Sequence, residues 1–146
     1  MVPQGTATLG GPHTAHVIPE GCPGAGNYLV YDNGMYADTS RAVEFSKDST
    51  SENPIVAWES CQGSLGRKHY SNFISGVQRL PNGNNLICDG AMGRFFEIAA
   101  GTRDEVVWEY VNSHLPDKIF NGAVFRAHRY VPDRCPQLKA LTHPDK

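Results

Sequence analysis

Two histidines, His13 and His16, stand three apart in "GGPHTAHVIPEGCPGAGNYLVYDNG" (residues 10–34), at the head of an apolar stretch that closes in a turn signal. A neutral imidazole offers one unprotonated nitrogen, so such a residue can serve as a nucleophile or base. To accept a group that carries anionic oxygens, it also needs cations or hydrogen-bond donors that hold those oxygens as charge moves toward the leaving group. One histidine alone does not meet that requirement. The competing account of the pair is structural: two strand-end side chains hydrogen-bonded to backbone.

The cations that would complete such a site lie far along the chain, in "AVFRAHRYV" (residues 123–131), where Arg126 and Arg129 flank His128. Neighbouring cations lower the pKa of an imidazole between them. Arg79 in "QRLP" and Arg94 in "GRFF" are read first as bridges between sheets or covers for a sheet edge. Asp32 and Asn33 before Gly34 supply the side-chain bonds and the positive φ of a turn. His69, His114 and His143 have no local partner pattern. Cys22, Cys61, Cys88 and Cys135 are widely spaced, without a CxxC pair, so neither a zinc site nor a disulfide scaffold is expected. They read as mostly buried thiols, with Cys88 in "NLICDG" suited to a packed strand and one disulfide left open for an oxidising compartment. No metal and no cofactor is expected.

The elements that must position these residues are short. "NYLVYD", "RAVEF", "PIVAWES", "GVQRLP", "NNLICDG", "RFFEIA", "EVVWEY" and "AVFRAHRYV" are rich in β-branched and aromatic types and bounded by turn formers, which predicts strands. The one stretch suited to a helical turn is "SHLPDKIF", and Pro116 keeps it short.

These strands repeat. "HVIPEG", "GNYLVYDNG", "SRAVEF" and "IVAWES" match, in order, "QRLPNG", "GNNLICDGAMG", "GRFFEI" and "EVVWEY". A unit of four strands therefore occurs twice, over about residues 13–59 and 74–110, and a third copy starts at about 123–131. Four-stranded units recurring at such a period are the signature of propeller blades, so the expected fold is all-β: a single domain over residues 1–146 of antiparallel blades, about half a propeller. Trp58 and Trp108 fall at equivalent places and are expected between blades. Aligning Pro19, Pro81 and Pro132 makes His13, Ser75 and Arg126 equivalent, and likewise His16, Gln78 and Arg129. One of these rings should line a channel, and the first would form an anion-tolerant mouth.

Composition narrows the partners. A formal net charge of −2 gives no electrostatic reason to expect nucleic acid or an anionic membrane. No apolar run approaches the length of a membrane helix, and the start "MVPQGTATLGG" lacks the basic and apolar regions of a signal peptide. The compartment stays unknown.

"GPHTAHVIPEGCPGAGNYLVYDNG", "YSNFISGVQRLPNGNNLICDGAMGRFFEI", "EVVWEYVN" and "VFRAHRYVPD" together resemble the arylsulfotransferase-like branch of the quinoprotein-type β-propellers, over nearly the whole chain. The resemblance implies a six-bladed propeller whose enzyme members move a sulfuryl group between phenols through a sulfated histidine, and whose full-length members are often exported. "PHTA" and "YDNG" stand where the family has its histidine segment and turn, which makes His13 the position of the nucleophile. The family's further sulfate-holding residues come from blades upstream of those seen here.

Two functions remain open. One is a non-catalytic propeller piece acting as an assembly module. The other is sulfuryl transfer or hydrolysis at His13, with sulfate or an aryl sulfate held by Arg126, Arg129, His16, Ser75 and His128. Half a ring would expose an unpaired strand edge and an apolar blade face, so the expected partner is a second copy, in a homodimer.

Overall fold

In the computed structural model, the described residues are 8–37, 39–50, 52–60, 70–103, 105–113 and 122–130. They contain eight strands and no helix: β1 (Pro12–Val17), β2 (Tyr28–Asp32), β3 (Arg41–Phe45), β4 (Val56–Glu59), β5 (Gly76–Arg79), β6 (Asn85–Asp89), β7 (Arg94–Ile98) and β8 (Val106–Val111). The strands form two antiparallel meanders of four, in the order β1-β2-β3-β4 and β5-β6-β7-β8. The all-β class and the two four-strand units expected from the repeat are therefore present. His69, His114, His143, Cys61, Cys135 and residues 114–120 of the helical-turn stretch lie outside the described residues.

Turn chemistry sets the hairpins. In the "DNG" turn after β2, Gly34 has φ of 66°, and a Cβ there would sit 1.6 Å from the Thr39 carbonyl oxygen. Only glycine fits. Asp32 ties this turn down, accepting from the amides of Gly10 at 2.7 Å and Gly34 at 3.1 Å and pairing with Arg41 at 3.1 Å.

From the second strand of each onward, the two sheets are copies in register as well as in strand order. β3 and β4 pair Glu44 with Trp58 and then Phe45 with Val56, skipping one residue. β7 and β8 pair Glu97 with Trp108 and then Ile98 with Val106, with the same skip. An identical bulge at the same place in each unit is a feature of the repeat, not of chance.

The sheets stack face to face. Leu29, Tyr31 and Ala42 of the first meet Val77, Ile87, Phe96 and Ile98 of the second in one buried cluster, with Ile18 at its edge. Burial of these side chains is the main force holding the sheets together. Each sheet has an alternating inside and outside, so the second also has a far face, which carries Cys88, Phe95, Glu97, Trp108 and Tyr110.

The segment 122–130 crosses near that far face. Its amides and carbonyls tie it to the second sheet: Val124 N donates to Gly90 O at 2.9 Å and Ser75 N donates to Phe125 O at 3.3 Å. Gly90 permits this approach, since a Cβ there would lie 2.4 Å from Val124 O. The segment contains no strand of its own, so the first strand of the third unit expected over 123–131 is not formed through residue 130, and residue 131 lies outside the described residues.

Candidate functional site

His13 and His16 sit on β1, opposite Tyr31 and Leu29 of β2. Strand neighbours that face each other point to the same side, and Leu29 and Tyr31, two apart, share a face. Both histidines therefore face the seam between the sheets. Three residues of regular strand would have sent them to opposite faces. A bulge between them absorbs the difference, with Thr14 at φ of 54°. A positive φ at a β-branched residue is an outlier in backbone geometry.

Both rings are held by one nitrogen. His13 Nδ1 lies 2.5 Å from Asn33 Oδ1 and 3.4 Å from Gly11 O, and His16 Nδ1 lies 2.9 Å from Thr14 O. The backbone-bound account of the pair is thus part of the truth for His16, while His13 has a side-chain partner. Asn33 is fully buried, and its Nδ2 donates to Ser71 O at 2.5 Å and to Ile74 O at 3.0 Å.

Beneath the two rings is a polar seam that composition and spacing did not reveal. Ser75 Oγ donates to Ser71 Oγ at 2.7 Å, and Gly90 N donates to Ser75 Oγ at 2.9 Å. Ser71 N donates to Ser40 Oγ at 2.9 Å. Tyr31 is wholly buried here, and burial, reinforced by the charge of Asp89, pushes its hydroxyl well above the usual tyrosine range, against hydrogen bonds from Ser40 and Ser75. Ser75, expected at a channel mouth, is 2% exposed and spends its hydroxyl inside this seam. Its backbone is strained with its neighbour: φ is 50° at Ile74 and 88° at Ser75.

The arginines divide into two kinds. Arg129 is bound to Glu97 in an ion pair, lies 5.0 Å from the Trp108 ring centroid, and exchanges two hydrogen bonds with Gln78 through its backbone. It is committed to the far face of the second sheet. Arg126 is exposed, lies 5.7 Å from the Phe125 ring centroid, and has no acidic partner among the described residues. His128 lies near both Arg126 and His16: partial burial, then the charges of Arg126 and His16, lower its pKa below the ordinary histidine value. Of the residues nominated from sequence, His16 and Arg126 lie near enough to His128 for their charges to act on it.

The alignment on Pro19, Pro81 and Pro132 fails in both rings: His13 stands opposite Tyr31, whereas Gly76 and not Ser75 stands opposite the equivalent Cys88, and the third segment is displaced as well. Arg79 does for the first sheet what Arg129 does for the second: its Nη2 pairs with Glu44 at 2.5 Å and its guanidinium lies 6.0 Å from Trp58. Arg129 is therefore the partner of Arg79 and not of Gln78, which shifts the third segment by one residue and sets His16, Gln78 and His128 in one ring. The cause is the extra residue between arginine and proline in "RYVP" against "RLP".

At the other end of the inner strands, an open cleft of about 600 Å3 is floored by Gln78 to Asn82, with Pro19 and Cys22 on one side and Arg129 and Tyr130 on the other. Both of its guanidinium groups are taken by glutamates, so it offers no free cation. Among the described residues, no group of three or more His, Cys, Asp or Glu could hold a metal ion.

Comparison with family models, with curated proteins and with solved structures finds no match for this chain.

Proposed function

We propose that the chain is a stacked-repeat piece of a β-propeller, of the arylsulfotransferase-like kind it resembles, and that it works as an assembly module. One observation carries this reading. Each sheet presents the same receptor, an Asn-Glu-Trp set, to an arginine delivered by the next unit. Asn27 Nδ2 donates to Glu44 at 2.6 Å and Asn84 Nδ2 donates to Glu97 at 2.6 Å. Arg79 fills the first receptor and Arg129 the second. A device that joins one unit to the next in a fixed direction suits a ring of blades. It does not suit a closed two-sheet sandwich, whose outer faces have no successor to receive.

The second receptor is only partly covered, with Trp108 42%, Tyr110 45% and Tyr130 68% exposed. Apolar rings in that state favour association, and the partner proposed is a second copy in a homodimer. Light scattering over a range of concentrations tests this. A mass above 16.0 kDa that rises with concentration is expected, and 16.0 kDa throughout overturns the self-association.

A second reading is favoured by the histidines. With Nδ1 of His13 tied to Asn33, its Nε2 is the nitrogen left to react. We propose that in an aryl sulfate this lone pair forms an N–S bond as the S–O bond to the phenol breaks, the electron pair leaving on the phenoxide. An acceptor phenol then takes the sulfuryl group from nitrogen and gives its proton to water. Arg126, with His16 and His128, would hold the sulfate oxygens. Incubation with an aryl sulfate, followed by mass analysis of the peptide holding His13, tests this; no sulfated peptide and no released phenol overturns it.

A further inference from the structure

We infer that Asn33 is a positioning residue: it decides which nitrogen of His13 reacts, and it can do so only when the two sheets are docked. The inference deepens the sulfuryl-transfer reading and rests on it for its chemical use, though its geometry stands alone.

Asn33 Nδ2 faces two carbonyl oxygens, Ser71 O at 2.5 Å and Ile74 O at 3.0 Å. Only an NH2 group can satisfy both, because a carbonyl cannot donate. Turning the amide over would set Oδ1 against two acceptors in a site with no exposure. The amide orientation is therefore set, and Oδ1 is the atom that faces His13 Nδ1 at 2.5 Å. An oxygen that can only accept requires a nitrogen that donates. The second neighbour of Nδ1, Gly11 O at 3.4 Å, is also an acceptor. The neutral ring must carry its proton on Nδ1, which leaves the lone pair on Nε2.

This reverses the tautomer favoured by free histidine. The determinant does not lie within the first sheet. Ser71 and Ile74 belong to the segment that leads into β5, and their carbonyls are aimed by the left-handed backbone at Ile74 and Ser75 and by Ser40, whose Oγ donates to Asn33 O at 3.0 Å and accepts from Ser71 N at 2.9 Å. A first sheet without its neighbour would have Asn33 free to turn, and His13 without a defined reactive nitrogen. Strain of this kind persists where surrounding structure over-determines it.

The test is a two-bond proton–nitrogen correlation spectrum of the full chain with labelled histidines, recorded at about pH 8, where imidazoles are neutral. His13 is expected to show a protonated Nδ1 and a bare Nε2. His16 serves as an internal control, since its Nδ1 bonds to Thr14 O and owes nothing to Asn33. In Asn33→Ala, His13 should revert to the Nε2-protonated form while His16 is unchanged. A native His13 protonated on Nε2, or a pattern unmoved by Asn33→Ala, overturns the inference. Should Asn33→Ala fail to fold, the native spectrum decides. The two readings fail separately: the expected tautomer without aryl sulfate turnover removes the sulfuryl-transfer reading alone, and turnover with the opposite tautomer removes the role of Asn33 alone.

Discussion

Arg79 reaches across the seam between the sheets to Glu44, Nη2 to Oε2 at 2.5 Å, with its side chain 9% exposed and that of Glu44 6%. Its other nitrogens donate to Asn85 Oδ1 and to Pro23 O, each at 2.8 Å, so the guanidinium joins three segments of chain. Removing one partner of a buried, hydrogen-bonded pair leaves the other charge desolvated and alone. Arg79→Ala should therefore cost about 3 to 5 kcal/mol of folding stability. Arg129, in the same role but 39% exposed over a Glu97 side chain that is 6% exposed, should cost less, about 1 to 2 kcal/mol. Denaturant midpoints of the two variants check the difference, and equal losses would mean that the two latches are not distinguished by burial.

The tryptophans should part in the same way. Trp58 packs against the core cluster and donates its indole N–H to Thr102 O at 2.8 Å, across the seam. Trp58→Ala should cost about 3 kcal/mol, the range for a large core side chain. Trp108 is 42% exposed and lies 5.0 Å from the Arg129 guanidinium, and Trp108→Ala should cost roughly 1 kcal/mol. Thermal melts of both variants give the comparison.

Two carboxylates should bend the pH dependence of stability in opposite senses. Burial pushes Asp89 from the usual 3.8 to about 6, against the charge of Arg94 and a hydrogen bond from Ser71. Between these values the folded chain holds a proton that the unfolded chain has lost. Its contribution is thus complete at low pH and declines as pH rises through about 6, by at most about 1.4 kcal/mol per pH unit. For Glu97, burial acts upward, but Asn84 and Arg129 outweigh it and hold the carboxyl below the usual range. That contribution is complete above the ordinary glutamate value and disappears as pH falls through the lowered one. Urea titrations from pH 4 to 7 should show a falling slope that Asp89→Asn abolishes and Glu97→Gln does not.

Cys88 should resist alkylation while the protein is folded. It is 1% exposed, and burial, against a backbone hydrogen bond from Ala127 and with the charge of Asp89, pushes its thiol up to about 12. At pH 8 almost none is thiolate, the reactive form. Half-buried Cys22 beside the open cleft should react first. Peptide mapping after iodoacetamide, with and without urea, distinguishes the two; rapid modification of Cys88 in the native chain would contradict its place under Val124 O.

Strands, hairpin turns and the twofold repeat were legible in the sequence by itself, because each depends on local rules: alternation within five or six residues, glycine where φ is positive, and the same pattern written twice. The bridging role of Arg79 was legible too, as a charge beside a packed strand. The tertiary structure alone decided which histidine nitrogen is free, which arginine is spoken for, and which serine is buried. His13 and His16 share a face because a bulge breaks the alternation that spacing implies. Arg129 is taken by Glu97, 32 residues earlier, while Arg126 has no acidic partner among the described residues. Ser75 faces the seam because its bonds run to Ser71 and Gly90. Each of these outcomes depends on which donor meets which acceptor across a packed interface, and that pairing exists only once burial has brought distant segments together.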